Sequence, residues 1–164
     1  SIDIIIASHT IHHFYNPAKF FFECRRVLKK GGFILISEIN TSFFMRLLLK
    51  ILKHEGYSYD IDIFNTESIV NDKADLWSAN CAVPEILFTD KREFENFFEG
   101  LKIQLNEPCE FLIFPLSGGV ISKTKVPRLP TFFLKLVHLL DRLLIKILPS
   151  IFALGRRTVI EKMS

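Results

Sequence analysis

Cysteine is scarce. Cys24, Cys81 and Cys109 are odd in number, far apart and form no CxxC pair. That excludes a disulfide framework or a closely spaced zinc motif, and it suits reduced thiols in a cytosolic protein. Long apolar runs are also missing: none reaches the ~18 residues of a spanning helix. The opening residues read as a strand and not as a charged leader, so no signal peptide is expected. Because Ser1 already stands inside that strand, the chain reads as a piece of a longer protein. Glycine is sparse, and its pairs, Gly31-Gly32 and Gly118-Gly119, form no GxGxG-like loop. The formal charge of +3 is too small to argue for nucleic acid, and no such partner is expected.

What is present is apolar material. Hydrophobic residues make up 49% of 164 positions, with 17 phenylalanines against one tryptophan, enough for one packed domain. Charge is segregated. Acids dominate from Glu55 to Glu110, whereas Lys123, Lys125, Arg128, Lys135, Arg142, Lys146, Arg156, Arg157 and Lys162 face only Asp141 and Glu161. A basic, hydrophobic tail of this kind fits an anionic surface or a solvated helix face.

The run Asp3 to Ala7 is continuous and β-branched, the pattern of a strand buried on both faces of a parallel sheet. Asn16 and Pro17 start a helix as N-cap and first residue. Phe20, Phe21, Cys24, Val27 and Leu28 form its buried stripe, and Gly31-Gly32 is expected to cap its end. Phe33 to Ser37 is the next buried strand, which completes a βαβ unit with parallel strands. Ser42 to His54 reads as an amphipathic helix, and Glu55 to Pro84 as an irregular insertion or lid. Thr89 is expected to cap a helix that carries Phe94, Phe97 and Phe98 and ends at Gly100. Leu101 to Leu105 and Glu110 to Phe114 are strand candidates, separated by Asn106-Glu107-Pro108. Pro130 opens a long helix to about Leu148, and Arg157 to Glu161 is a short closing strand. Residues 1–40 are thus a βαβ core, 41–88 an insertion or lid, and 89–164 C-terminal helices and strands of one incomplete domain.

Asp3-Ile4-Ile5-Ile6-Ala7-Ser8, then Ile11-His12-His13-Phe14 and Asn16-Pro17, resembles the fourth-strand motif of class I S-adenosylmethionine-dependent methyltransferases of the type 11 kind. Glu23, Arg26-Val27-Leu28-Lys29, Gly31-Gly32 and the Phe33 to Ser37 strand resemble the helix and fifth strand that follow. Lys30 departs from the family's usual proline, at a turn position. The Leu116 to Gly119 stretch and Arg156 to Lys162 look like parts of the sixth and seventh strands with their insertions. The resemblance implies an α/β fold, the C-terminal part of a Rossmann-like sheet. The family's order is 3-2-1-4-5-7-6, so this chain would hold strands 4, 5, 7 and 6, the last strand antiparallel, with strand 4 as a bare edge. The family's glycine-rich cofactor loop and its ribose-binding acid are not found, so the chain is expected to be truncated and inactive alone.

Ligands of open α/β sheets bind beyond the carboxyl ends of the strands. The resemblance therefore places Ala7, Ser8 and His9 beside S-adenosylmethionine and turns His12 and His13 toward a small-molecule or lipid-linked acceptor. Either histidine is a general base or a group that caps or packs the turn. His9, His12 and His13 share a helix spacing suited to a metal, but no carboxylate or cysteine is near in sequence, and no metal is assigned. Glu38 reaches the same region or pairs with a loop lysine, and the Ser117-Gly118-Gly119 loop lines the pocket or is a tight turn. Cys24 belongs to the core. The 131–148 helix contacts a membrane, or packs on the sheet or on a missing N-terminal half; packing is the preferred expectation. The alternatives to an enzyme are a non-catalytic remnant or accessory subunit of the same fold, and a peripheral membrane-binding module.

Overall fold

Strand β1 (Ile2–Ser8), helix α1 (Pro17–Val27) and strand β2 (Leu28–Ile39) form the opening unit. The computed structural model describes residues 2–53, 55–75, 77–116 and 128–164. β1 and β2 run parallel, with Ile4 opposite Phe33 and Ser8 opposite Ser37. Asn16 starts α1 as expected: its Oδ1 accepts from the Lys19 N–H at 2.9 Å. Its amide also donates to the carbonyls of Thr66 and Ser68, both at 2.8 Å, which ties the insertion to the helix start. Ala18, Phe21 and Cys24 are buried, and burial pushes the Cys24 thiol up to about 12.

Gly31-Gly32 does not cap α1. The helix stops at Val27, and the glycines lie within β2, where the register with β1 slips between Ile2 and Ile4. Gly31 takes a φ of 74°, which an L side chain resists. A Cβ on Gly32 would come 2.9 Å from the Asp3 carbonyl. Both glycines thus serve an irregularity in the strand pairing.

Helix α2 (Phe43–Leu52) begins at Ser42, whose hydroxyl accepts from the Met45 N–H. Helix α3 (Val83–Thr89) follows the insertion, and helix α4 (Lys91–Phe97) comes directly after it. Asp90, not Thr89, caps α4: one carboxylate oxygen accepts from the Arg92 and Glu93 N–H groups. The two strands expected between Leu101 and Phe114 are one, β3 (Leu101–Cys109), followed by the short helix α5 (Ile113–Leu116). Pro108 fits inside β3 because this strand is at the sheet edge, where a missing N–H costs no ladder bond. Helix α6 (Thr131–Ile147), helix α7 (Pro149–Phe152) and strand β4 (Gly155–Lys162) complete the order. Ser117-Gly118-Gly119 lies outside the described residues.

The sheet order is β1-β2-β4-β3, with β4 antiparallel to both neighbours. That relative order, with the last strand of the chain antiparallel, agrees with the expected one. Ala7, Ile34, Ile36, Ile103 and Ile160 share one core with Phe21, Phe88, Phe94 and Phe98. The Phe21 ring meets those of Phe94 and Phe98 at 5.2 and 5.1 Å.

β1 is not buried on both faces. Ile4 is 52% and Ile6 75% exposed, and Ile5 is half-buried against the core. Helices cover one face of the strand only, and its outer edge has no partner strand among the described residues. α6 packs on the rest of the described residues through one side. Val137, Asp141 and Ile145 are buried, whereas Phe132, Leu136, Leu139, Leu143 and Ile147 are exposed.

Candidate active site

The carboxyl ends of β1 and β2 are joined by one buried carboxylate. Glu38 accepts from the N–H groups of Thr10 at 2.7 Å and Ile11 at 2.6 Å, and from His12 Nδ1 at 2.6 Å. Burial raises the Glu38 carboxyl, but the His12 ring and the two N–H groups outweigh it and hold its pKa below the ordinary value. The ionised carboxylate only accepts, so His12 Nδ1 carries the proton. Glu38 therefore pairs with the loop after β1 and not with a lysine.

That loop is shaped by local bonds. His9 has a φ of 49°, and its N–H donates to the Ser37 carbonyl at 2.8 Å. Residues Ile11–His13 make a single 3-10 turn. The insertion then closes over the turn. Asn71 donates to the carbonyls of His12 at 2.8 Å and Phe14 at 3.0 Å, and the Asn80 N–H reaches the His12 carbonyl at 2.9 Å.

The two histidines meet a second carboxylate. His12 Nε2 lies 3.7 Å and His13 Nε2 3.6 Å from Glu55, with ring centroids 4.3 Å apart. His13 Nδ1 donates to the Ser78 carbonyl at 3.1 Å. The Cys81 thiol donates to Glu55 Oε2 at 3.3 Å, and burial together with the Glu55 charge pushes that thiol's pKa up. His12 is buried, while the His13 and Glu55 side chains keep 28% and 17% of their surface exposed, so the cluster opens to solvent on one side.

His9 stands apart from this cluster, with its ring 5.8 Å from that of Phe114. Ala7 is in the core, Ser8 is exposed and His9 is half-buried. A separate polar group sits beyond β2: Glu85 accepts from Tyr59 at 2.5 Å and also from Thr41. Tyr59 is raised by burial and by Glu85. Glu55, Cys81, Tyr59 and Glu85 were invisible as site residues in the sequence, because all lie in the stretch read as an irregular insertion and its boundary. The one local signal was the acid-rich character of that stretch.

Residues 1–36 match the family model described as a methyltransferase domain. No curated protein matches the chain. Among solved structures, it is similar to a Galdieria sulphuraria protein assigned as a sarcosine dimethylglycine methyltransferase. The identity is 13% and the TM-score 0.45, over 99% of this chain and 53% of that one. It is also similar to a SAM-dependent methyltransferase from Archaeoglobus fulgidus, at 19% identity and a TM-score of 0.44, over 98% of this chain and 59% of that one. The chain thus spans little more than half the length of either structure.

Proposed function

We propose that this chain forms the acceptor-side part of an S-adenosylmethionine-dependent methyltransferase acting on a small-molecule or lipid-linked substrate. The observation that carries the reading is the methyltransferase-domain match over residues 1–36, which spans β1, the His12-His13 turn, α1 and most of β2. Ser8 is exposed and His9 half-buried at the carboxyl end of β1, whose outer edge has no partner strand among the described residues. These residues fit one wall of a cofactor cleft. The other contacts of the donor come from outside these 164 residues, since no glycine-rich loop is in the sequence. When bound, S-adenosylmethionine supplies an electrophilic methyl group on a sulfonium.

On this reading the protein orients the acceptor and takes up its proton. His13, open to solvent on one side, is the residue that meets the acceptor; its Nδ1–H is fixed on the Ser78 carbonyl, so Nε2 is the proton-accepting atom. Glu38 holds His12 behind it in one tautomer. The test is methyl transfer from labelled donor by the full-length protein that contains this chain. His13→Ala should lower turnover at least about tenfold, with donor affinity within twofold of wild type. An unchanged rate would remove the role of His13, and no donor binding by the full-length protein would overturn the enzyme reading.

A second observation favours contact with a membrane surface, a setting for a lipid-linked acceptor. Phe132, Leu136, Leu139, Leu143 and Ile147 recur at helical spacing on an exposed stripe of α6, flanked by Lys135, Arg142 and Lys146. Asp141 anchors the opposite side of α6 by accepting from the N–H groups of Phe111, Leu112 and Ile113 at 2.9 to 3.0 Å. Among the described residues, no helix is long and apolar enough to cross a membrane. Co-sedimentation with anionic vesicles, weakened by salt and by Leu139→Glu, is the expected result; no binding would exclude this contact.

A further inference from the structure

We infer that His12, His13 and Glu55 form a binding site for a divalent transition-metal ion of the zinc class. Their ligand atoms all lie within 4.8 Å of one another. The argument starts from protons. His12 Nδ1–H is held by the Glu38 carboxylate and His13 Nδ1–H by the Ser78 carbonyl. In the neutral rings both Nε2 atoms are then bare lone pairs. They face the Glu55 carboxylate, itself an acceptor, at 3.7 and 3.6 Å, beyond hydrogen-bond reach. The Cys81 thiol donates to Glu55 Oε2 from beside the cluster, yet no N–H lies between either Nε2 and the carboxylate, and a cation among the three acceptors would relieve their mutual repulsion.

The spacing fits such an ion. Bonds of ~2.0–2.1 Å at tetrahedral angles set ligand atoms about 3.3 Å apart; the two histidine-to-carboxylate separations, 3.7 Å to Oε2 and 3.6 Å to Oε1 of Glu55, are near that value, and one ligand atom from each residue lies within 4.8 Å of the others, so the ion would draw the three side chains together. The surroundings fit as well. A metal-bound histidine usually donates its other ring N–H to a carboxylate or a backbone carbonyl, and here one histidine has each. Charge balances, because Glu38 and Glu55 supply two negative charges to a divalent ion. The ion-pair partners of both carboxylates, among the described residues, are these two histidines. Three protein ligands with partial exposure leave a fourth position for water or for an acceptor oxygen.

The inference rests on the reading of this cluster as the acceptor side of the site and changes one role in it: with the ion bound, His13 Nε2 is a ligand, and the ion, not a free imidazole, would ease loss of the acceptor's proton. It does not depend on the methyl donor, so metal binding is measurable whether or not methyl transfer is found. The site joins the turn after β1 to the insertion at Glu55, and the ion would fasten the two together.

The experiment is a titration of the metal-free chain with Co2+, followed by displacement with Zn2+ and competition against a chromophoric chelator. One Co2+ per chain with the visible absorption of a four- or five-coordinate N/O site is expected. His13→Ala and Glu55→Gln should each weaken binding by at least about a hundredfold, more than the ~10–100-fold loss of a second-shell partner. Both variants change partly exposed side chains, and thermal unfolding of the metal-free proteins shows whether they remain folded. If either fails to fold, the wild-type stoichiometry and spectrum still decide. No stoichiometric ion on wild type would overturn the proposal and leave a protonated histidine as the bridge between the carboxylates. Equal affinity in wild type and folded variants would also overturn it.

Discussion

Strands β1 and β2 pair residue by residue, Ile4-Ile5-Ile6-Ala7 against Phe33-Ile34-Leu35-Ile36, with nearly equal hydrophobicity. Their environments differ. β2 lies between β1 and β4, and Ile34 and Ile36 are buried under α1 and the phenylalanine cluster. Among the described residues β1 has a neighbour on one side only, and Ile4 and Ile6 are exposed. A continuous apolar run therefore reports that a strand is able to be buried on both faces. It does not report whether the covering elements are present.

The comparison is sharpest at Ile34. Ile34→Asp places a charge in a closed core, and it should cost more than about 4 kcal/mol and abolish soluble folding. Cooperative thermal unfolding of soluble mutant would show that β2 is less enclosed than the packing indicates. Glu38→Ala comes next, because it strips the partner from two buried N–H groups and from His12, for about 3 kcal/mol. A midpoint in urea unchanged from wild type would mean that water replaces the carboxylate. Ile5→Asp should cost less than Ile34→Asp, since Ile5 is only half-buried. At the other extreme, Ile6→Lys should change stability by no more than about 0.5 kcal/mol and reduce self-association of the chain. A large loss of stability there, measured by the same urea series with light scattering alongside, would show that the outer side of β1 is covered in solution.

The elements that could be read from sequence are those whose signals are local. Asn16-Pro17 fixed the start of α1, Ser42 the start of α2 and Pro130 the start of α6, because caps act within three or four residues. The misreadings came from residues with two uses. Gly31-Gly32 has the composition of a helix cap yet serves a bulge in β2, and Pro108 resembles a strand break yet sits in an edge strand. Thr89 and Asp90 are both good caps, and the extended backbone of Asp90 between α3 and α4 chose the latter.

The candidate site divides in the same way. The family resemblance drew attention to His12 and His13 from their own short motif. Glu38 was noticed, but its partners were not, and Glu55, Ser78 and Cys81 gave no local sign beyond the acid-rich character of their stretch. Hydrogen bonds between residues 26 or 65 positions apart, such as Glu38 with His12 and His13 with Ser78, leave no periodicity in a sequence.

The sequence by itself determined the βαβ opening, the helical stripes and the match of residues 1–36 to a methyltransferase-domain model, because each depends on spacing along a few turns or pleats. Tertiary structure alone decided that β1 is an edge among the described strands, that α6 turns its apolar stripe outward around the Asp141 anchor, and that two histidines meet Glu55. Those outcomes depend on which distant segments supply neighbours, charges and hydrogen-bond acceptors, and an apolar or acidic residue does not encode its partner.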